Sequence, residues 1–83
     1  MFRSTITVTL RKSILDPQGK AVEHAILSMG YNPVQDVRIG KHIQLAIDSA
    51  SKEEAERITD EVCKKLLANM VMEDYTFTVE KVH

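Results

Sequence analysis

The chain has 83 residues, enough for a single domain spanning 1–83 and no more. A core of that size is marginal, and small domains of this kind gain stability by oligomerising. Hydrophobic residues make up 43% and charged residues 28%, with a net charge of -1. That is the balance of an ordinary globular domain, and it excludes a chain steered by charge toward nucleic acid or anionic lipid.

Cys63 is the single cysteine, so no intramolecular disulfide can form, which suits a reducing compartment. Met1-Phe2-Arg3-Ser4-Thr5 lacks the pattern of a signal peptide. No apolar stretch approaches the roughly 18 residues of a membrane span. A cytoplasmic location is the default expectation.

Six elements are expected, with no internal repeat or linker. Ile6, Val8 and Leu10 alternate with Thr5, Thr7, Thr9 and Arg11, which predicts a half-buried strand from Phe2 to Arg11. Asp16-Pro17 then opens a helix, Asp as N-cap and Pro where no N–H is needed. Val22, Ala25, Ile26 and Met29 make its apolar stripe, and Gly30 closes it. Tyr31-Asn32-Pro33 is a connector.

Val37 and Ile39 predict a second strand, Gly40-Lys41 a turn, and Ile43, Leu45 and Ile47 its hairpin partner. Ser51 and Glu54 read as a capping box for a second helix with an inner stripe of Ala55, Ile58, Val62 and Leu66. Glu53–Arg57, Asp60–Lys64 and Glu61–Lys65 are spaced as acid-before-base pairs on its outer face. Asn69 is placed to help stop this helix. Tyr75, Phe77 and Val79 predict a last strand.

The order β-α-β-β-α-β gives a ferredoxin-like α+β fold: an antiparallel four-stranded sheet with both helices on one face. The other sheet face is then small and uncharged, with Thr5, Thr7, Thr9, Ala46, Thr76 and Thr78. It is either solvated or covered by a second copy.

No catalytic set emerges. His24, His42 and His83 are spread without metal-ligand spacing. Cys63, between Val62 and the leucines at 66 and 67, reads as a small core residue, since a nucleophilic thiol needs a base and a lowered pKa. Asp60 and Glu61 are absorbed by the helix pairs. Glu73 and Asp74 read as a solvated turn or a partner contact. Gly19, Gly30 and Gly40 form no phosphate loop. An RNA-binding sheet needs exposed aromatics on central strands, and Tyr75 and Phe77 fall on the helix-covered face.

Two features lack a local explanation in the sequence. In Leu15-Asp16-Pro17-Gln18-Gly19, Gly is poor inside a helix, so another backbone is expected close to Gly19. In Val37-Arg38-Ile39-Gly40-Lys41, two cations sit at the expected hairpin tip, either solvated or facing acidic groups or phosphates on a partner. Asp16, Gln18, Gly19, Arg38, Gly40 and Lys41 are therefore the candidate partner-binding residues.

L-D-P-Q-G (15–19), M-G-Y-N (29–32), V-Q-D-V-R-I-G-K (34–41), C-K-K-L-L-A-N (63–69) and E-D-Y (73–75) occur in that order. Together they resemble the PurS family across essentially the whole chain. Met70-Val71-Met72 is more methionine-rich than that pattern, and Thr7 to Lys12 is only generally similar. The resemblance implies a non-catalytic subunit of phosphoribosylformylglycinamidine synthase. Such a subunit joins the glutaminase PurQ and the synthetase PurL as a homodimer or homotetramer. The complex converts formylglycinamide ribonucleotide to formylglycinamidine ribonucleotide with glutamine-derived ammonia; ATP and Mg²⁺ are used by the complex, and no cofactor is bound by this chain. A ligand-sensing regulatory domain on the same layout is the alternative.

Overall fold

The computed structural model describes residues 1–82. Its elements are β1 (Phe2–Leu10), α1 (Pro17–Ser28), β2 (Lys41–Ile47), α2 (Lys52–Val62), a π-helical turn (Cys63–Leu67) and β3 (Glu73–Lys81). The three strands form an antiparallel sheet in the order β2-β1-β3. Phe2 pairs with Ile47 on one side and Lys81 on the other, and Ile6 with Ile43 and Phe77. This register puts the even-numbered β1 residues, which include every large apolar side chain of that strand, on one face with Ile43, Leu45, Tyr75 and Phe77.

The expected fourth strand is absent among the described residues. Val37, Arg38 and Ile39 join no sheet; the N–H groups of Val37 and Ile39 have side-chain partners instead. Val37 N–H donates to Glu23 Oε1 at 3.2 Å, and Ile39 N–H to Asp16 Oδ2 at 2.8 Å. Those two donors are then satisfied without a ladder. In a ferredoxin-like sheet the missing strand would lie outside β2, so here β2 is an edge. Gly40-Lys41 is accordingly the entry to β2 rather than a hairpin turn.

The second departure concerns the helices. Only α2 and its π-helical extension lie on the sheet, over β1 and β3. They bury Ile6, Val8, Cys63 and Ala68 in one cluster, and Phe2, Ile47, Ala55 and Val79 in another. Ser4 and Thr59, the buried polar pair of this layer, bond to each other at 2.5 Å, and Thr59 Oγ1 also donates to Ala55 O at 2.8 Å. Helix α1, expected beside α2, stands off the sheet. The chain is accordingly elongated, 51 × 29 × 14 Å, with a radius of gyration of 16.2 Å. A compact domain of this length has roughly 12 Å.

Both helix starts form as their residues dictate. Asp16 caps α1 and Ser51 caps α2, accepting from Gly19 N–H and Glu54 N–H. The capping box is only half made, since Ser51 N–H donates to Ser49 Oγ. Gly30 ends α1 at φ 95°. On α2, Asp60 pairs with Lys64 at 3.0 Å, while Arg57 pairs forward with Glu61 at 3.2 Å. The helix then widens: Ala68 N–H bonds back to Cys63 O, an i→i+5 closure. That turn rotates Leu66 out of the expected stripe, leaving it 78% exposed, while Leu67 packs against the core.

Candidate partner-binding surface

Asp16 ties the start of α1 to its surroundings. Its carboxylate is buried, caps Gly19 at 3.1 Å and accepts Ile39 N–H at 2.8 Å, so it clamps the start of α1 to the chain that leads into β2. Those N–H groups, Ile39 first and Gly19 second, hold its carboxyl below the usual carboxylate range.

Gly19 lies against that same chain. A Cβ there would sit 2.1 Å from Val37 O, which no side chain tolerates. The close backbone that its sequence position implied is thus the protein's own. Gly40 is equally confined, with Val8 O 2.5 Å from a would-be Cβ at the end of β1. Arg38 also turns inward: Nη1 donates to Ile14 O at 2.6 Å and Nη2 to Lys12 O at 3.0 Å, and Nε pairs with Asp36 at 3.3 Å. Asp36 takes φ 54° to make this turn. Arg38 therefore fastens the strand-to-helix connector.

The structure thus brings Asp16, Gly19 and Arg38 together as one clasp and places Gly40 beside β1. Two candidates keep exposed side chains outside the clasp. Gln18 is exposed in the first turn of α1. Lys41 is exposed at the start of β2, with Nζ 3.7 Å from Glu73.

Sequence reasoning missed the apolar surface. Val22, Ala25 and Met29, assigned to the core, are exposed on α1, Met29 to 70%. Leu66, Met70, Val71 and Met72 form exposed apolar side chains around the loop before β3. That loop is held rigidly: Asn69 accepts from Val71, Met72 and Glu73, and Arg11 donates to Met70 O at 2.5 Å. The methionine run was the one signal for it.

Little here can do chemistry. Among the described residues no three His, Cys, Asp or Glu gather as a metal site; His83 lies outside them. Cys63 is wholly buried, which with the Asp60 charge nearby pushes its thiol up. Tyr75 donates its hydroxyl to Asp60, which lowers the carboxyl and raises the phenol to about 12. A cleft of about 60 Å³ on the open sheet face is lined by Thr7, Thr9, Asp74, Tyr75 and Thr76. Ligand pockets run to roughly 300–1,000 Å³.

Fold and surface define a small α+β protein with large apolar side chains exposed on its first helix and on the loop before β3. The family model of PurS, phosphoribosylformylglycinamidine (FGAM) synthase, matches residues 3–81. The chain belongs to this family. It is 50% identical over 82 residues to the FGAM synthase subunit PurS of Bacillus subtilis (strain 168), covering 99% of this chain and 96% of that one. The structure superposes on B. subtilis PurS with a TM-score of 0.86 at 51% identity, covering 98% of this chain and all of the other. For PurS of Methanocaldococcus jannaschii, one of the subunits of formylglycinamide ribonucleotide amidotransferase in the purine biosynthetic pathway, the TM-score is 0.87 at 36% identity over the full length of both. A chain of PurLQS from Thermotoga maritima gives 0.87 at 33% identity, covering 95% and 96%.

Proposed function

We propose that this chain is the non-catalytic assembly subunit of FGAM synthase, joining a PurL synthetase to a PurQ glutaminase as a homo-oligomer and aiding ammonia transfer between them. The carrying observation is the likeness to a chain of PurLQS over nearly its whole length. The uncovered apolar faces of α1 and of the loop before β3 support the same reading, since exposed apolar patches of this kind mark interfaces. Ammonia has to cross between two active sites without loss, so the complex needs them held in register and water excluded. In this reading ATP and Mg²⁺ are handled by the synthetase, this chain binds no cofactor, and the complex is cytoplasmic. No helix of the described residues is long and apolar enough to cross a membrane.

The test mixes the chain with PurL and PurQ subunits, ATP, Mg²⁺ and glutamine. Co-elution on size exclusion, with glutamine-dependent turnover that needs this chain, is the expected result. Separate elution and unchanged turnover in its absence overturn the reading. Within the complex, Gln18→Ala plus Lys41→Ala tests direct partner contact, because these two side chains bear no part of the clasp. Weaker co-elution with an unchanged melting temperature is expected.

A further inference from the structure

The sulfur of this chain lies in one cysteine and four methionines: Cys63, Met1, Met29, Met70 and Met72. Methionine is ordinarily a core residue. Here every one is exposed, Met70 to 40% and Met72 to 42%, whereas Cys63 is fully buried. Among the described residues, neither core cluster contains a thioether. Accessible sulfur chemistry is thus confined to the surface.

Met70 and Met72 fall on one stretch of surface, flanking Val71, which is 80% exposed. The backbone beneath them is fixed without help from either sulfur. Val71 N–H donates to Asn69 Oδ1 at 3.0 Å, Met72 N–H to Asn69 O at 3.0 Å, and Arg11 N–H to Met72 O at 2.9 Å. An oxygen added to each thioether therefore leaves the supports of the loop in place. It alters only what the loop shows to solvent, since a sulfoxide is polar where the thioether was apolar.

We propose that Met70 and Met72 form a reversible oxidation site for a peroxide, which turns the loop before β3 from apolar to polar with the fold and Cys63 untouched. The thioether lone pair attacks one peroxide oxygen, the O–O bond breaks, and the other oxygen leaves as water after a proton shift. Sulfur is oxidised and the peroxide reduced, electron for electron. A reductase dithiol reverses the step, becoming a disulfide and releasing the oxygen as water. Cys63 is spared because a thiol reacts as its thiolate, and burial both blocks the approach and pushes the thiol up. An oxidant then changes the character of the surface before it reaches the core. Neither step depends on the identity of the larger partners.

The test treats the purified chain with hydrogen peroxide at neutral pH, digests it and maps the added oxygen by mass spectrometry. One oxygen each on Met70 and Met72 is expected, with none on Cys63 and an unchanged melting temperature. Methionine sulfoxide reductases A and B with dithiothreitol are expected to remove both. Met70 or Met72 still reduced once Met29 is fully oxidised overturns the proposal. So does oxygen on Cys63 first, or a melting temperature that falls as the loop is oxidised. Hydrophobic-interaction chromatography checks the surface change in a Met29→Leu background. The treated chain is expected to elute earlier than the untreated one, and Met70→Leu plus Met72→Leu to remove most of that shift. An equal shift in the leucine variant places the change outside the loop and overturns the proposal.

Discussion

Thr59 and Ser4 share one buried hydrogen bond between α2 and β1, and Thr59 spends its own proton on Ala55 O. Ser4 is then the donor to Thr59. Thr59→Val strands the Ser4 hydroxyl in the core, a cost of about 1–3 kcal/mol. Adding Ser4→Ala removes the stranded group, and the double variant is expected to recover most of that loss in urea unfolding. A double variant no better than the single one overturns this account.

Asp16 couples stability to acid. Its folded pKa lies below the ordinary value, so its contribution is complete above the unfolded pKa, near 3.9, and is lost as pH falls through the folded one. Asp16→Asn cannot titrate. The variant is expected to melt several degrees lower at neutral pH, with the gap closing below pH of about 4. A gap independent of pH from neutrality to that range contradicts the clasp. Asp16 as cap and Gly19 as a site of close approach were both legible in the sequence. Which backbone approaches was not, because nothing local to residue 19 points to residue 37.

Among the elements, β1, β3 and the starts of both helices were legible because their signals are local: alternation in the strands, Asp16-Pro17 and Ser51 at the caps. Val37 and Ile39 carry the same alternation as a strand. Their partners, however, are carboxylates from the α1 region, Asp16 and Glu23. Periodicity records which side chains share a face and not what receives the N–H groups. Leu66 failed differently. A period of 3.6 carried past Val62 puts it inside, and the i→i+5 turn at Cys63–Leu67 adds a residue to that turn. At α1, Gly19→Ala brings a methyl onto Val37 O. Denaturant unfolding is expected to show a loss of about 1–3 kcal/mol, despite the better helix propensity of Ala. A neutral result means that the connector moves freely from α1.

For the whole molecule, what could be read was the α+β class with an antiparallel sheet; what could not was the number of strands, three rather than four, or the division between covered and uncovered parts. The stripes on α1 and β2 are the residues of a conventional two-helix layer, and periodicity alone does not say whether one chain closes that layer. The missing fourth strand and the detached α1 are one event, since the contacts that satisfy 37–39 also carry α1 away from the sheet. Arg38→Ala therefore acts globally. It frees Ile14 O and Lys12 O and loosens α1, and small-angle scattering is expected to show a broader distribution of distances with the sheet intact by circular dichroism. An unaltered profile contradicts the clasp.

The lone thiol of Cys63 sits inside the π-helical turn, sealed between α2 and the sheet. No other sulfhydryl competes with it. A thiol reagent added to the native protein can react only when that layer opens, so the labelling rate times the opening of α2 from the sheet, residue by natural residue, without a dye or a substitution. Held against ligands, partners or a second copy, the same atom reports how tightly each one keeps the layer shut.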